Sequence, residues 1–155
     1  MAAPILRTHV PADLADIVAA HRRLYSDEYG FDAGFADYVT KTLEGPIDRI
    51  WIADMDGRFA GCIGVVRAAP DVAQLRWFLV DKSARGTGLG KRLIDALIEY
   101  CRKSGYKSIF LWTVSGLPAA RYLYQERGFT LTETKPETLL WGKTLAEERW
   151  DLTLK

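Results

Sequence analysis

Arg85-Gly86-Thr87-Gly88-Leu89-Gly90 lies between an apolar run, Trp77-Phe78-Leu79-Val80, and a segment of helical periodicity, and its reading decides the fold. Three alternate glycines are costly in chain entropy unless the backbone is put to use. Glycine removes the Cβ that would keep a ligand off the main chain. At a helix start, unpaired N–H groups and about half a positive charge of dipole face outward. The stretch therefore reads as an anion cradle, and Arg85, Lys91 and Arg92 add side-chain cations suited to phosphate. A glycine-rich loop also permits a sharp turn with no ligand, and the triplet alone does not separate the two readings. Two phosphate loops are excluded by residue identity. A P-loop needs Gly at position 85 and Ser or Thr at 92, where Arg stands in both cases. A dinucleotide fingerprint needs Gly at 91 and an acidic residue ending the next strand, where Lys91 and Thr113 stand.

Upstream of the loop, residues 3 to 9 predict an opening strand. From Pro11 to Glu28, Leu14, Ile17, Val18, Leu24 and Tyr25 recur at helical spacing ahead of Gly30, and a second helix is predicted from Gly34 to Leu43. Arg49 to Met55 and Phe59 to Arg67 are β-rich and joined by Asp56-Gly57, a hairpin dipeptide; a third strand runs from Ala73 to Val80. Downstream, Leu89, Leu93, Ile94, Leu97, Ile98 and Cys101 trace one face of a helix that Gly105 stops. Ser108 to Thr113 is a buried strand, predicted parallel to the one before because a helix joins them. A last helix, Leu117 to Arg127, closes at Gly128-Phe129, and strands near Thr130 to Leu140 and Arg149 to Leu154 follow. The order is βααβββαβαββ, a mixed α/β sheet.

The 155 residues, 48% hydrophobic and 26% charged, fit one domain spanning 1–155 and exclude whole-chain disorder. The longest apolar run is four residues, whereas a membrane helix needs about 20. No basic, apolar leader opens the chain, so a cytoplasmic location and no membrane partner are expected. A net charge of +1 argues against nucleic acid, whereas residues 82 to 107 carry seven basic and two acidic side chains, an island suited to a small anion. Cys62 and Cys101 form no CxxC pattern, and His9 and His21 lack metal-ligand spacing, so neither a metal nor a disulfide is expected.

Arg85-x-x-Gly88-x-Gly90 resembles the pyrophosphate loop of the GNAT superfamily of acyl-CoA-dependent N-acetyltransferases, whose pattern is Gln/Arg-x-x-Gly-x-Gly/Ala. Leu79-Val80-Asp81 before the loop, and Leu123-Tyr124 with Gly128-Phe129 after it, are similar to the family's strand and helix end. The resemblance covers nearly the whole chain. It is nearest to acetyltransferase domains fused behind MarR-type winged-helix regulators, through Tyr29-Gly30-Phe31-Asp32, Leu111-Trp112-Thr113 and Trp150-Asp151-Leu152, although no DNA-binding segment is expected here. The resemblance implies a GNAT-like, mostly antiparallel sheet with one parallel strand pair. It implies acetyl-CoA as cosubstrate and a primary amine, small molecule or peptide, that attacks directly in a ternary complex.

Residue by residue, the resemblance implies that the main chain of Phe78, Leu79 and Val80 pairs with the pantetheine arm, and that Arg85, Gly86, Thr87, Gly88, Leu89, Gly90 and Lys91 hold the pyrophosphate. Tyr124 becomes the candidate general acid and a cofactor contact: a phenol of reference pKa about 10 can reprotonate a thiolate of about 8.5. By pattern alone Tyr124 reads as a core aromatic, and the resemblance reverses this. Glu28, between the first two helices, is the carboxylate best located to act as base; an ordinary surface glutamate fits as well, and water can take the proton instead. His21, on the apolar face of the first helix, reads as a packed histidine. Leu117 stands where the family often has Asn.

Residues 26 to 37 hold Asp27, Glu28, Asp32 and Asp37 without a basic residue, which would favour a cationic acceptor or form a solvated acidic loop. Outside catalysis, the same sequence suits an acyl-CoA-binding sensor or a protein-interaction module, with Trp77, Trp112, Trp141 and Trp150 marking an interface such as that of a homodimer.

Overall fold

Local sequence sets where each element starts and stops. In the computed structural model, which describes residues 3–155, strand β1 (Ile5–Thr8) precedes helices α1 (Asp13–Tyr29) and α2 (Ala33–Leu43). Gly30, at φ 68°, ends α1, and the Asp32 carboxylate accepts from the Gly34 amide at 2.9 Å to start α2. Strands β2 (Arg49–Met55), β3 (Arg58–Ala69) and β4 (Val72–Val80) follow, then a 3-10 turn (Lys82–Ala84), helix α3 (Leu89–Lys103), β5 (Ser108–Val114) and α4 (Pro118–Glu126). The chain finishes with β6 (Thr130–Thr134), β7 (Thr138–Leu140), β8 (Lys143–Leu145) and β9 (Glu147–Thr153).

The end of the chain differs from the sequence expectation. The strand predicted over Thr130 to Leu140 divides around Pro136, which has no N–H to offer a ladder, and the final strand begins earlier, at Glu147. The separated β7 and β8 pair only with each other. Trp141 and Gly142, at φ 49° and 83°, make the turn between them, the two positive φ values that a tight hairpin requires.

The main sheet has the order β1-β2-β3-β4-β5-β9-β6. All neighbours are antiparallel except β4 and β5, which run parallel and pair only where Val72 to Gln74 meets Ser108 to Phe110. This is the predicted mixed, mostly antiparallel sheet with one parallel pair. Beyond Gln74 the two strands have no pairing with each other, and the cavities described below open there.

One face of the sheet buries α3, with Ile63, Val65, Ala73 and Leu75 against Leu89, Leu93 and Leu97; the other buries α1 and α2, with Ile50, Ile52 and Cys62 against Ile17, Leu24 and Phe35. Strand β4 changes its allegiance midway. Ala73 and Leu75 belong to the α3 side, yet Trp77 and Leu79 belong to the α1/α2 side, so odd-numbered residues swap faces. The cause is an extra residue in β4: Gly64 pairs with Arg76 but Cys62 pairs with Leu79, so Trp77 and Phe78 together oppose Ile63 alone. Trp77, at φ 54°, absorbs the kink, and the Cys62 thiol donates to its carbonyl at 3.0 Å.

Candidate active site

The glycine loop turns the chain from β4 into α3. Gly86 and Gly88 sit at φ 82° and 81°, and a Cβ on either would meet no atom within 4 Å, so both glycines serve backbone conformation and an open approach. Gly90 answers a different need: its Cβ would lie 3.2 Å from Leu123 Cδ1, so it lets α3 close on α4. Gly88 is the N-cap of α3 and has no side chain to satisfy the amides of the first turn. Glycine in place of a capping side chain costs only about a few tenths of a kcal/mol, whereas each large apolar side chain that α3 buries contributes about 1.5–3 kcal/mol. Packing therefore holds the helix, and the N–H groups of its first turn stay available for an anion.

The flanking cations divide. Arg85 Nη2 lies 2.5 Å from Glu28 Oε1, an ion pair by distance whose alignment makes no hydrogen bond. Lys91 Nζ is 3.9 Å from Glu126 and half exposed. Arg92 is turned away, with Nη1 donating to the Pro4 carbonyl at 2.6 Å. Leu89 buries its side chain in the core and offers the loop only its main chain. Thr87 Oγ1 donates to the Ala84 carbonyl at 2.5 Å, which braces the loop from within.

From the loop a groove runs along β4, lined by Leu24, Glu28, Val80, Arg85, Ala120 and Leu123. Its floor includes Phe78, Leu79 and Val80, whose β5-facing edge has no strand partner. A second cavity, an aromatic cleft walled by Phe35, Tyr38, Trp77, Trp112 and Trp141, opens between the diverging β4 and β5. Tyr25 and Phe78 line both cavities and mark their junction. Tyr124 faces the cleft from α4, with its ring centroid 6.3 Å from that of Phe78. Burial, and then the neighbouring Tyr25, pushes the Tyr124 phenol up from its ordinary value, so it carries its proton throughout the neutral range.

His21 is buried and lines the same cleft. Its Nδ1 lies 2.7 Å from the Ile17 carbonyl, which can only accept, so Nδ1 holds the proton and Nε2 remains an acceptor. Desolvation pushes its pKa down to about 4, leaving the ring neutral. Glu28 borders the groove and does not line the cleft. Of the other acidic residues, Asp27 and Asp37 are exposed and Asp32 caps α2; none of the three lines the cleft, so the acidic run does not charge its wall.

Sequence reasoning did not single out Tyr25, Trp141 or Arg76 for the site. Tyr25 fitted the helix spacing and passed as core. Trp141 enters through the hairpin, whose Trp-Gly step carried the signal; its ring lies 4.9 Å from Phe35 and 5.3 Å from Phe31, and its carbonyl accepts from the Asp32 amide at 2.9 Å. Arg76 is the one charged residue of β4 and lines the cleft.

Comparison with known proteins places the chain in a family. The model of the acetyltransferase (GNAT) family matches residues 14–129. An uncharacterized N-acetyltransferase of Schizosaccharomyces pombe is 30% identical over 133 residues, covering 80% of each chain. An uncharacterized N-acetyltransferase of Escherichia coli, YjgM, is 27% identical over 137 residues, covering 81% of each. A solved Salmonella typhimurium structure described as an acetyltransferase with its cofactor acetyl-CoA superposes with a TM-score of 0.76 at 18% identity, over 99% of this chain and 95% of that one. The chain belongs to the acetyltransferase (GNAT) family. No helix among the described residues is long and apolar enough to cross a membrane.

Proposed function

We propose that the chain transfers an acetyl group from acetyl-CoA to a primary amine by direct attack in a ternary complex, as a cytoplasmic enzyme. One observation carries this reading: a groove leading from an uncapped helix start meets an aromatic cleft at Tyr25 and Phe78, beside a buried phenol. The fit of the cosubstrate rests on residues present. The first-turn amides of α3, the open Gly86 and Gly88, and the Arg85 and Lys91 side chains suit a diphosphate. The unpaired edge from Phe78 to Val80 offers amide groups to an extended arm, and one N–H there can polarise a carbonyl.

When bound, acetyl-CoA supplies the acetyl group as a thioester whose C–S bond breaks as the amine nitrogen forms the C–N bond. Tyr124 donates its phenolic proton to the departing sulfur and regains one from solvent. The proton lost by the amine leaves through water. Glu28, the carboxylate expected to act as base, enters through Arg85, holding that guanidinium at the mouth of the groove for the diphosphate. The neutral His21 Nε2 accepts a hydrogen bond from the incoming amine.

The test is calorimetric titration with coenzyme A together with a thiol-release screen of acetyl-CoA against a panel of amines. Binding with amine-dependent thiol release is the expected outcome. Binding without turnover of any amine would favour an acyl-CoA-binding sensor or interaction module, and no binding would remove the loop assignment. Mass in solution decides whether the active species is a homodimer.

A further inference from the structure

The aromatic cleft has an uncompensated charge. Two ionised side chains line it, Arg76 and Glu147, since the buried His21 is neutral. Glu147 is already matched: its carboxylate lies 3.2 Å from Lys135 Nζ, and that ammonium stacks over the Trp112 ring at 4.5 Å. Arg76 has no carboxylate partner among the described residues. It donates instead to a neutral acceptor, Gln74 Oε1, at 2.9 Å, which steadies the guanidinium and leaves the cation unneutralised.

We infer that the acceptor is an amino acid with an apolar or aromatic side chain, whose carboxylate pairs with Arg76 while its amine is acetylated. This deepens the transferase reading and rests on it. A guanidinium offers two parallel N–H groups that match one carboxylate; a phosphate dianion would call for more donors than this wall supplies. Arg76 precedes Phe78 by two residues, so their backbones are separated by no more than about 7 Å, the scale of one small molecule carrying both groups. The rest of the wall, Phe35, Tyr38, Trp141 and Trp112, suits the burial of an apolar side chain. A polyamine would bring a second positive charge toward Arg76 and lose affinity. In the transfer, the neutral α-amine forms the C–N bond, its proton passes to water, and the sulfur leaves with the proton from Tyr124. The carboxylate takes no part in bond making.

The experiment compares kcat/KM, with acetyl-CoA saturating, for L-phenylalanine, L-tryptophan and L-leucine against phenethylamine, tryptamine and isoamylamine, each the same side chain and amine without the carboxylate. Spermidine serves as the cationic control. A preference of about 10–100-fold for the amino acids is expected, the worth of a charge-assisted hydrogen-bonded contact. R76M should erase that preference by raising KM for the amino acids about 10–100-fold more than for the carboxylate-free amines. R76Q, which keeps a polar group in the wall, should act the same way, and the wild-type comparison needs no variant to fold. Equal or better turnover of the carboxylate-free amines, of spermidine or of peptide N-termini would overturn this inference while the transferase reading stands. No transfer to any amine, with coenzyme A still bound, would overturn both.

Discussion

A Cβ on Gly64 would lie 2.4 Å from Cε3 of the Trp77 ring and 3.1 Å from Ile50 Cγ1. Gly64 on β3 thus makes the space into which the kinked residue of β4 folds its indole, and the indole is then anchored by a hydrogen bond from Trp77 Nε1 to Thr42 Oγ1 at 2.8 Å. Because the kink lies where β4 passes from strand partner to cavity wall, G64A is expected to cost about 1–3 kcal/mol, the range for overpacking a filled core. The shift in urea midpoint checks this. Thiol-release activity should fall even where the variant is fully folded.

For the loop, the informative pair is G88A and G88E. Both place a side chain on a residue at φ 81° and share the left-handed backbone penalty of about 1–2 kcal/mol. Only Glu adds an anion to the cradle. Calorimetry should therefore find coenzyme A binding weakened in G88A and absent in G88E, with equal thermal stability. Equal affinity in the two would remove phosphate from the assignment. Gly90 is a poorer probe, because Leu123 opposes any side chain there.

Y124F should lower kcat by about 10²-fold and leave coenzyme A affinity nearly unchanged, since the phenol is assigned to proton delivery. The neighbouring rings, Phe129 at 5.9 Å and Trp150 at 6.4 Å, keep the same packing against Phe, so the melting temperature should hold. A wild-type rate would make Tyr124 a packing residue.

His21 sets an acid limit on stability. Burial lowers its pKa from 6.5 to about 4, so below pH 6.5 the unfolded chain takes up a proton that the folded one refuses. Stability is therefore unaffected above pH 6.5 and falls as pH drops toward 4, by about 3 kcal/mol in all. Denaturant titrations across that window should show the slope in the wild type and a flatter profile in H21Q. Asp13, whose pKa the Arg7 guanidinium lowers to about 2, contributes below this window, its stabilisation fading as pH falls from 3.8 toward 2.

The sequence carried the order of the elements as far as α4 and the parallel pair, because each follows from signals local in the chain: α3's apolar face, the Asp56-Gly57 turn, the glycines that separate β4 from α3. It did not carry the Trp77 kink. An extra residue in β4 is visible only against β3, where Gly64 supplies the room. Arg85 and Glu28 were each legible as site residues but not as partners, since 57 positions separate them and only the fold brings them together. The charge of the cleft wall was the least legible feature. Counting acidic residues along the chain suggested a negative wall, but the cap at Asp32 and the exposed Asp27 and Asp37 spend those charges elsewhere, while Arg76, the one charged residue of β4, lines the cleft.

Residues 138–145 form a hairpin with no rung in the seven-stranded sheet, yet through Trp141 they furnish one wall of the aromatic cleft. Such an appendage can be rebuilt without breaking a rung of the sheet that carries the glycine loop. If the cleft takes the acceptor as proposed, a change of acceptor would need only a rewritten flap, with the glycine loop and the β4 groove left as they are.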